Sequence, residues 1–342
     1  MITRQLRDGW NFVRKMTARR WANAIKLISG YYLANWTKKP VQFGYPISIS
    51  IEPTTSCNLR CPECPSGLRS FSRNTGMLSL ERFQRVVDQV YHKTPYLTLY
   101  FQGEPYLNKA YYDMVSYAAH ERNMYVATST NAHYLTEEAA RKTVESGLSR
   151  MIISIDGTTQ DTYVSYRRGG NLEKVIEGAK NMVKAKKEAG SSTPHIIFQF
   201  LVVAPNEHQI PEILQLGKDL DIDEVKLKTA QVYNYKNGNP LIPENEKYSR
   251  YKKQKDGTYK LKNKLSNHCW KLWHSCVFTW DGNVLPCCFD KDGTHVMGNI
   301  DNASFEQIWH NNQYLSFRNA ILKGRDQIDI CKNCTEGCKI WT

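Results

Sequence analysis

The sequence predicts an α/β fold in which six strands form one parallel sheet, either open or barrel-like. Six strand-like runs alternate with five segments whose apolar residues recur at helical spacing. Strands that are separated by helices pair in parallel. Polar and glycine residues also follow several of these strands, as a shared pocket at the carboxyl edge of a parallel sheet requires.

The predicted strands and helices lie between residues 46 and 230. The strand-like runs cover residues 46–52, 96–101, 124–130, 151–156, 195–203 and 223–229. The helical patterns lie near residues 79–92, 108–121, 136–146, 171–188 and 207–219. Thr136, followed by Glu137 and Glu138, is typical of a helix start, because the helix dipole favours acidic residues in the first turn.

The first 45 residues predict a basic amphipathic helical segment. Arginines lie among apolar residues at helical spacing, which are Leu6, Trp10, Val13, Trp21, Ile25, Ile28 and Tyr32. Such a segment suits a membrane surface, and it suits equally a helix that packs on its own domain, which is the commoner case. An arginine-rich, acid-poor start also resembles a transit peptide.

The net charge of +13 is concentrated in two stretches of the chain. Residues 1–40 carry nine Lys and Arg against one acid, and residues 247–264 carry eight against one. Such surfaces attract phosphates, anionic lipid or nucleic acid, although two solvated faces would give the same pattern. Residues 231–268, which contain the second stretch, are interpreted as a basic linker or a peripheral excursion.

Neither a membrane span nor a secretory signal is visible in the sequence. No apolar run approaches the ~20 residues that a span needs, and no uncharged apolar region follows the basic start. We therefore expect a soluble, cytoplasmic protein, with peripheral contact to an anionic membrane as the alternative that the basic start leaves open.

Ten cysteines fall into two groups. Three lie within residues 57–64 and seven lie after residue 268, with none between. A disulfide framework would not leave the middle of the chain bare, so we interpret the groups as two metal-binding sites.

The first group, Cys57, Cys61 and Cys64, has the spacing Cys-x3-Cys-x2-Cys. Fe–S clusters normally take four thiolates, so three on one short loop leave one iron without a protein ligand. An open metal position can bind a substrate. The alternative is a zinc loop completed by a distant histidine, for which the candidates are His120, His133 and His195.

This motif resembles that of the radical SAM superfamily, in which S-adenosylmethionine (SAM) chelates the open iron of a [4Fe–4S] cluster. Gln102-Gly103-Glu104-Pro105 is similar to the family's GGEP motif, which holds the SAM amino group, with Gln102 in place of the first glycine. The resemblance implies a partial (β/α)6 TIM-like barrel over residues 46–230. Further SAM contacts are implied for Asn131, Ser154, Asp156 and either Arg167 or Arg168. A guanidinium fork fits the SAM carboxylate, whereas ordinary capping is the alternative for these side chains.

Residues 269–342 resemble a SPASM/twitch domain, which carries auxiliary Fe–S clusters in radical SAM enzymes. The resemblance implies a small C-terminal cysteine-rich domain with at least one auxiliary [4Fe–4S] cluster, on Cys269, Cys287, Cys331 and Cys334. The chain departs from the full seven-cysteine pattern, which leaves Cys276, Cys288 and Cys338 as alternative ligands, ligands of a second cluster or buried hydrophobes. A zinc ribbon is the competing interpretation.

The resemblance implies that reductive cleavage of SAM yields a 5′-deoxyadenosyl radical, which removes hydrogen from a substrate C–H bond. An external electron donor of the flavodoxin or ferredoxin type is implied as a partner. An auxiliary cluster favours an oxidation or dehydrogenation, so we expect a radical SAM oxidoreductase. Asp290, which follows Cys287-Cys288-Phe289, is the candidate catalytic base, unless it is a turn residue.

Two substrate classes compete at this stage. The basic surfaces favour a small or lipid-linked anionic, sugar-like substrate. The alternative is maturation of a ribosomally made peptide by crosslinking or epimerisation, and we expect it less because the 45 residues before the barrel are too few for a leader-binding domain. A zinc-ribbon protein that binds nucleic acid would also suit the charge, but RNA-recognition strands expose aromatic residues and these strands have the pattern of buried ones.

Overall fold

The computed structural model describes residues 2–262 and 265–334 of the chain. Six strands run parallel, and each pairs with the next one along the chain. They are β1 (Ser48–Ile51), β2 (Tyr96–Leu99), β3 (Tyr125–Thr130), β4 (Arg150–Ser154), β5 (His195–Val202) and β6 (Glu224–Thr229). Five fall within runs predicted from sequence and β4 begins one residue before its run, so the parallel α/β fold is confirmed.

Helices connect the strands and cover the sheet with buried apolar faces. In chain order they are α1 (Ile2–Val13), α2 (Ala18–Thr37), α3 (Pro65–Leu68), α4 (Leu80–Val90), α5 (Tyr111–Ser116), α6 (Glu137–Glu145), α7 (Gln160–Tyr166), α8 (Leu172–Glu188), α9 (Ile210–Asp219), α10 (Trp270–His274), α11 (Phe305–Trp309) and α12 (Asn312–Gly324). Thr136 caps α6 as predicted, since its hydroxyl accepts a hydrogen bond from the Ala139 amide at 3.2 Å. The sequence analysis missed α7, because seven residues make too few turns to show helical periodicity.

The C-terminal part of the chain extends the same sheet. Strand β9 (Ser275–Phe278) pairs in parallel with β1, and Cys276 lies opposite Ile49. Two antiparallel strands, β10 (Asn283–Leu285) and β11 (Gly298–Asn299), follow at the edge. The four residues of β9 are all buried, so this strand joins the central core. The C-terminal cysteines are consequently held against the body that carries the first cysteine loop.

The N-terminal helices pack against the amino ends of the parallel strands. Asp8 of α1 is buried and pairs with Arg150, the first residue of β4. Phe12 lies edge-on to Tyr96 and Tyr125, the first residues of β2 and β3. Arg20 of α2 is also buried and donates hydrogen bonds to backbone carbonyls of four residues, which are Lys15, Tyr91, Arg122 and Asn123. Packing on the domain, one of the alternatives for this segment, is therefore observed.

Residues 231–262 fold against the first cysteine loop. Val232, Leu241, Ile242 and Tyr251 are buried in a cluster that also contains Leu59 of the loop. A short hairpin, β7 (Tyr251–Lys253) and β8 (Tyr259–Leu261), carries much of the basic charge outward. The geometry favours a peripheral excursion over a linker, because a linker would not bury apolar side chains.

No helix in the described residues is both long enough and apolar enough to cross a membrane. The longest, α2, has 20 residues but carries charged and polar side chains along its length.

Candidate active site

The first cysteine loop lies at the carboxyl edge of the parallel strands. It follows β1 and leads into α3, with Cys64 at the start of that helix. Cys61 is buried and the other two thiols are partly buried. Burial raises the pKa of Cys57 to about 12 and also raises the pKa of Cys61. Buried thiols with such pKa values become thiolates only when a cation binds them, which fits a metal cluster.

Each sulfur of this loop is contacted by a side chain from a different segment outside the loop. The Gln102 Oε1 lies 3.9 Å from the Cys64 sulfur, and the Asn131 Nδ2 lies 3.9 Å from the Cys57 sulfur. An Arg167 Nη1 lies 3.9 Å from the Cys61 sulfur. Three side chains that the sequence analysis assigned to SAM therefore surround the three cysteines. The arrangement leaves the interior of the loop facing a cavity.

Gly103 is required by the close approach of the loop to the strand that follows. Its φ is +73°, a conformation that favours glycine, and a Cβ there would lie 2.3 Å from the carbonyl oxygen of Thr54. Its amide donates to the Ser66 hydroxyl of α3 at 2.9 Å. The retained glycine of this motif thus keeps the cysteine loop against the end of β2, whereas the replaced position, Gln102, has room for a side chain.

Glu104 is a buried carboxylate at the edge of the cavity. Its Oε1 accepts from the Thr130 hydroxyl at 2.7 Å, and its Oε2 accepts from the Asn131 amide at 2.8 Å. Burial raises the pKa of Glu104 to about 7 despite these hydrogen bonds. A carboxylate in this state gains from a cation beside it. The SAM ammonium has the charge that this position lacks, and the residues therefore fit the cofactor.

Arg167 and Arg168 have different environments, although they are adjacent in sequence. Arg167 lines the cavity, and its Nε donates to the carboxylate of Asp156. The other oxygen of Asp156 accepts from the Leu201 amide at 2.7 Å, and this side chain is fully buried. Asp156 thus holds Arg167 in place and is not among the cavity-lining residues. Arg168 is exposed and does not line the cavity either. Of the predicted SAM contacts, Asp156 and Arg168 therefore lie outside the cavity wall.

The cavity has a volume of about 220 Å³ and opens between the cysteine loop and the strand ends. Ser154, as predicted, lies on its wall. Several lining residues were missed by the sequence analysis, which are Tyr100, Ser129, Thr130, Tyr166, Gln199, Leu201, Glu63 and Lys291. Gln199 carried a usable signal, since it is a polar residue within the apolar run of β5. Lys291 carried none, because it comes from the C-terminal region and only the fold brings it there.

Four of the seven cysteines in the second group lie near one another, and one arginine lies among them. Cys269, Cys331 and Cys334 are buried, and Cys287 is partly buried. Arg325 is fully buried and donates to the Cys334 sulfur at 3.2 Å. Burial opposes its charge, but the charges of Cys269, Cys334 and Cys331 raise the pKa of Arg325. Burial, and then the charges of Cys288, Cys269 and Cys334, raises the pKa of Cys287. These are the four ligands assigned from sequence, and the structure brings them together.

The remaining C-terminal cysteines lie in different places. Cys276 is buried in β9 beside Tyr314 and Arg318, and burial raises the pKa of its thiol strongly. Cys288 packs against the buried cluster that contains Phe101. It lies near Tyr100, which is also close to Cys64 of the first group. Cys338 lies outside the described residues.

Asp290, the candidate base, is buried and does not line the cavity. Its oxygens accept from the Thr294 amide, the Thr294 hydroxyl and the His295 amide, at 2.8 to 2.9 Å. The geometry therefore supports the alternative of a turn residue that orders the loop after Cys287.

The histidines proposed for a zinc loop lie away from the first cysteine loop or are hydrogen-bonded to other groups. His195 begins β5 at the opposite edge of the sheet, beside Glu224. His120 faces the carbonyl of Glu145, and both ring nitrogens of His133 have hydrogen-bond partners. Over residues 2–262 and 265–334, no three His, Cys, Asp or Glu side chains converge on a position for a single ion. A cluster spreads its thiolates over separate irons and needs no such convergence.

The fold and these two cysteine sites define an iron–sulfur enzyme whose active site lies at the carboxyl edge of a parallel sheet. Residues 51–217 match the model of the radical SAM superfamily, and residues 269–335 match the SPASM domain, described as an iron–sulfur cluster-binding domain. The chain belongs to the radical SAM superfamily and carries a C-terminal SPASM domain. Its first domain implies a [4Fe–4S] cluster and SAM, and the SPASM domain implies auxiliary iron–sulfur clusters.

Two relatives show what this chain is similar to in sequence. The tungsten-containing aldehyde ferredoxin oxidoreductase cofactor-modifying protein of Pyrococcus furiosus is 26% identical, over 78% of this chain and 82% of that protein. The PqqA peptide cyclase of Bradyrhizobium diazoefficiens is 25% identical, over 79% of this chain and 72% of its own.

Two solved structures share the fold. SuiB of Streptococcus suis, bound to S-adenosylmethionine, has a TM-score of 0.64 at 14% identity and covers 90% of this chain and 76% of its own. BtrN, in complex with AdoMet and 2-DOIA, has a TM-score of 0.54 at 22% identity and covers 86% of this chain and 95% of its own. These likenesses confirm the partial TIM-like barrel expected from the cysteine motif.

Proposed function

We propose that this protein cleaves SAM reductively and uses the product to remove hydrogen from a C–H bond of a peptide substrate. When bound, the reduced cluster and SAM supply a 5′-deoxyadenosyl radical for that step. The polypeptide contributes the walls that exclude water, the groups that orient SAM and the mouth that holds the substrate. This proposal adopts the alternative of the sequence analysis in preference to a small or lipid-linked anionic substrate.

One observation carries the proposal of SAM cleavage. Each thiol of the first loop is contacted by a different side chain from outside the loop, and these three side chains also line one cavity. A merely structural metal loop would be enclosed by its own ligands and need not face a cavity. We assign Cys57, Cys61 and Cys64 to the cluster, Glu104 to the SAM ammonium and Arg167 to the SAM carboxylate.

The mouth of the cavity supports a peptide substrate. Three exposed tyrosines, Tyr100, Tyr134 and Tyr233, lie near it, and tyrosines are enriched at surfaces that bind other chains. Glu63 and Lys291 place one negative and one positive charge on its wall. The name of the PqqA peptide cyclase, a relative at 25% identity, states a peptide substrate for that protein.

The argument for a small anionic substrate rested on two basic stretches, and the position of the first one weakens it. The first stretch packs at the amino ends of the strands, opposite the cavity. Within the cavity wall, Arg167 and Lys291 are balanced by Glu63 and Glu104. The wall is therefore close to neutral and does not select for an anion.

The second cysteine group favours an oxidative outcome. Tyr100, on the cavity wall, is close to Cys64 on one side and Cys288 on the other, and Cys288 adjoins Cys287. An electron acceptor held by these C-terminal cysteines would be near the substrate. We therefore propose a net loss of two hydrogen atoms from the peptide, as in a crosslink. One would leave as a hydrogen atom in the SAM-dependent step, and the other as an electron to the acceptor at the C-terminal cysteines and a proton to solvent. An external flavodoxin- or ferredoxin-type protein would supply the electron for SAM cleavage.

The test uses reconstituted, reduced protein with SAM under anaerobic conditions. Synthetic peptides that correspond to the short reading frames beside its gene are compared with a panel of sugar phosphates and nucleotide sugars. We expect one peptide to accelerate release of 5′-deoxyadenosine and to lose two hydrogens by mass spectrometry. If a sugar phosphate accelerated the release of 5′-deoxyadenosine and no peptide did, the substrate would be a small anionic molecule and not a peptide.

A further inference from the structure

The N-terminal helices turn their most apolar side chains toward solvent. Of the seventeen large hydrophobic residues that are exposed in the described chain, nine lie between residues 6 and 43. The nine are Leu6, Trp10, Val13, Trp21, Ile25, Ile28, Tyr32, Trp36 and Phe43. Trp10 is 62% exposed and Trp36 is 83% exposed. A soluble surface rarely collects so many large apolar side chains in one place.

Eight of these side chains, all except Phe43, form one stripe on each helix. In α1, Leu6, Trp10 and Val13 share a face, and buried Asp8 points the opposite way. In α2, the residues of the stripe are Trp21, Ile25, Ile28, Tyr32 and Trp36. The opposite face of α2 is buried through Asn23, Ala24, Leu27, Gly30 and Ala34. Packing on the barrel and an outward apolar surface therefore coexist, although the sequence analysis treated them as alternatives.

The exposed charges that this segment contributes beside the stripes are of one sign. Six exposed basic residues lie in this segment, which are Arg7, Arg14, Arg19, Lys26, Lys38 and Lys39. The only acid among residues 3–43 is Asp8, and it is buried against Arg150. Acids from other segments reach this surface beside Arg4 and Arg7, which pair with Asp221 and Asp223 near the start of α1. Along the rest of the stripes, the bordering charges are cations.

This charge pattern decides what covers the stripes. A second copy of the chain, joined through the same surface, would bring twelve exposed cations together, and only the two copies of Arg7 have an acid, Asp223, to offset them. An anionic bilayer offers lipid to the apolar side chains and phosphate to the basic ones. Tryptophan and tyrosine are also the residues that prefer the headgroup region.

We propose that α1 and α2 dock this enzyme on the surface of an anionic membrane, with both stripes inserted among the lipid headgroups. The proposal concerns a surface separate from the active site and is independent of the proposed reaction.

The docking orientation has a consequence for the substrate. α1 and α2 cover the amino ends of the strands, and the cavity lies at their carboxyl ends. Strands of six to eight residues place these two edges about 20 to 26 Å apart. The active site therefore faces the aqueous side, where it can take a peptide that is not embedded in the bilayer.

The test is cosedimentation of the reconstituted protein with sonicated vesicles. We compare vesicles of phosphatidylcholine that contain about one third phosphatidylglycerol, an anionic lipid, with vesicles of phosphatidylcholine alone. We expect binding to the anionic vesicles, weak binding to the neutral ones, and loss of most binding at high salt, because salt screens exposed charges.

Two variants separate the contributions of charge and apolar area. Arg14→Gln/Arg19→Gln/Lys26→Gln should lower the partition coefficient on the order of a hundredfold, at about fivefold for each cation near an anionic surface. Trp10→Gln/Trp21→Gln/Trp36→Gln should weaken binding to a similar extent while leaving the iron content unchanged. Leu214→Gln, at an exposed apolar position of α9, is the matched control and should bind as the wild type does.

Two outcomes would overturn the proposal. Equal sedimentation with neutral and anionic vesicles, or none with either, would show that the surface does not bind anionic lipid selectively. A dimer in light scattering that the tryptophan variant abolishes would assign the stripes to a second copy of the chain instead. If the tryptophan variant loses its iron, the charge variant alone decides between these results.

Discussion

The two cysteine groups of this enzyme differ in what surrounds their sulfur atoms. The first loop is contacted by an amide oxygen, an amide nitrogen and a guanidinium from three separate segments, and it faces a cavity. In the second group, Cys269, Cys331 and Cys334 are buried, and the guanidinium of Arg325 donates to the Cys334 sulfur. An open set of thiols surrounded by hydrogen-bonding groups suits substrate chemistry, whereas an enclosed set beside a fixed cation suits electron storage.

The comparison shows that cysteine spacing alone does not define a role. Both groups include a Cys-x2-Cys pair, formed by Cys61 and Cys64 in one and by Cys331 and Cys334 in the other. Their difference arises from the fold, since the first pair follows a central strand at its carboxyl end and the second follows the last described helix. The predictions below test this division, from the largest expected effect to the smallest.

Removing the first group should abolish the chemistry and leave the second group loaded. We expect the anaerobically reconstituted wild type to hold about eight irons and Cys57→Ala/Cys61→Ala/Cys64→Ala to hold about four, because each [4Fe–4S] cluster contributes four. The triple variant should form no 5′-deoxyadenosine, whereas the wild type forms it slowly without substrate. Iron analysis and chromatography measure both effects.

The matched variant is Cys269→Ala/Cys331→Ala/Cys334→Ala in the second group. It should also hold about four irons but should retain slow SAM cleavage. Loss of cleavage in both variants would contradict the division of roles, and zinc in place of iron would refute both assignments.

A buried ion pair beside the first cysteine loop also contacts the C-terminal domain. Breaking this pair should lower the stability of the fold. Glu52 follows β1, is fully buried and accepts from both terminal nitrogens of Arg73, at 2.6 and 2.8 Å. It also accepts from the Trp280 amide, and Arg73 donates to the carbonyl of Lys291. Glu52→Gln leaves the Arg73 cation without its counter-ion and should lower the free energy of unfolding by about 3 kcal/mol. Anaerobic thermal unfolding followed by circular dichroism measures the loss.

The control for this ion pair is exposed. Glu81 pairs with Arg85 at 3.3 Å on the surface of α4. Glu81→Gln should cost less than about 1 kcal/mol, because water already screens that pair. If the two substitutions lowered the free energy of unfolding equally, the Glu52–Arg73 pair would not hold the C-terminal domain to the first cysteine loop.

Glu104 tests whether the open site binds SAM through its ammonium. Glu104→Gln removes the charge but keeps the shape, and it should weaken SAM binding about 10- to 100-fold, the range for a hydrogen bond to a charged group. The iron content should not change. Because burial sets the pKa of Glu104 at about 7, and SAM binds the ionised form, SAM affinity should fall as the pH falls below about 7. Equilibrium dialysis at pH values of roughly 6 and 8, on either side of this pKa, measures both effects.

The variant and its control make this result specific. Glu104→Gln should reduce the pH dependence, since its amide does not titrate and the amino group of SAM is then the group that does. Glu63→Gln, which changes a second carboxylate of the same cavity wall, should bind SAM as the wild type does. Loss of iron in Glu104→Gln would show that this side chain supports the cysteine loop and not the cofactor.

Much of the fold was predictable from sequence, because the strands are apolar runs bounded by polar residues. The neighbours of the three sulfurs were also found, since Gln102, Asn131 and Arg167 follow strands or lie in a motif. Asp156 and Arg168 were not distinguishable from true cavity residues, because burial and side-chain direction decide between them. Lys291 and the junction of β9 with β1 depend on long-range packing, which a local pattern does not encode.

The smallest expected effect concerns Cys276, which the sequence could not separate from the ligands. Its thiol is buried in β9, within the central core, and its neighbours there are Tyr314 and Arg318. Cys276→Ala should therefore leave the iron content unchanged and cost on the order of 1 kcal/mol, since it removes one small buried group from a packed core. Cys287→Ala is the matched variant and should lose about four irons, because it removes a ligand of the second cluster. Iron loss in Cys276→Ala would place this thiol among the ligands and would mean that the second site draws on the central sheet itself.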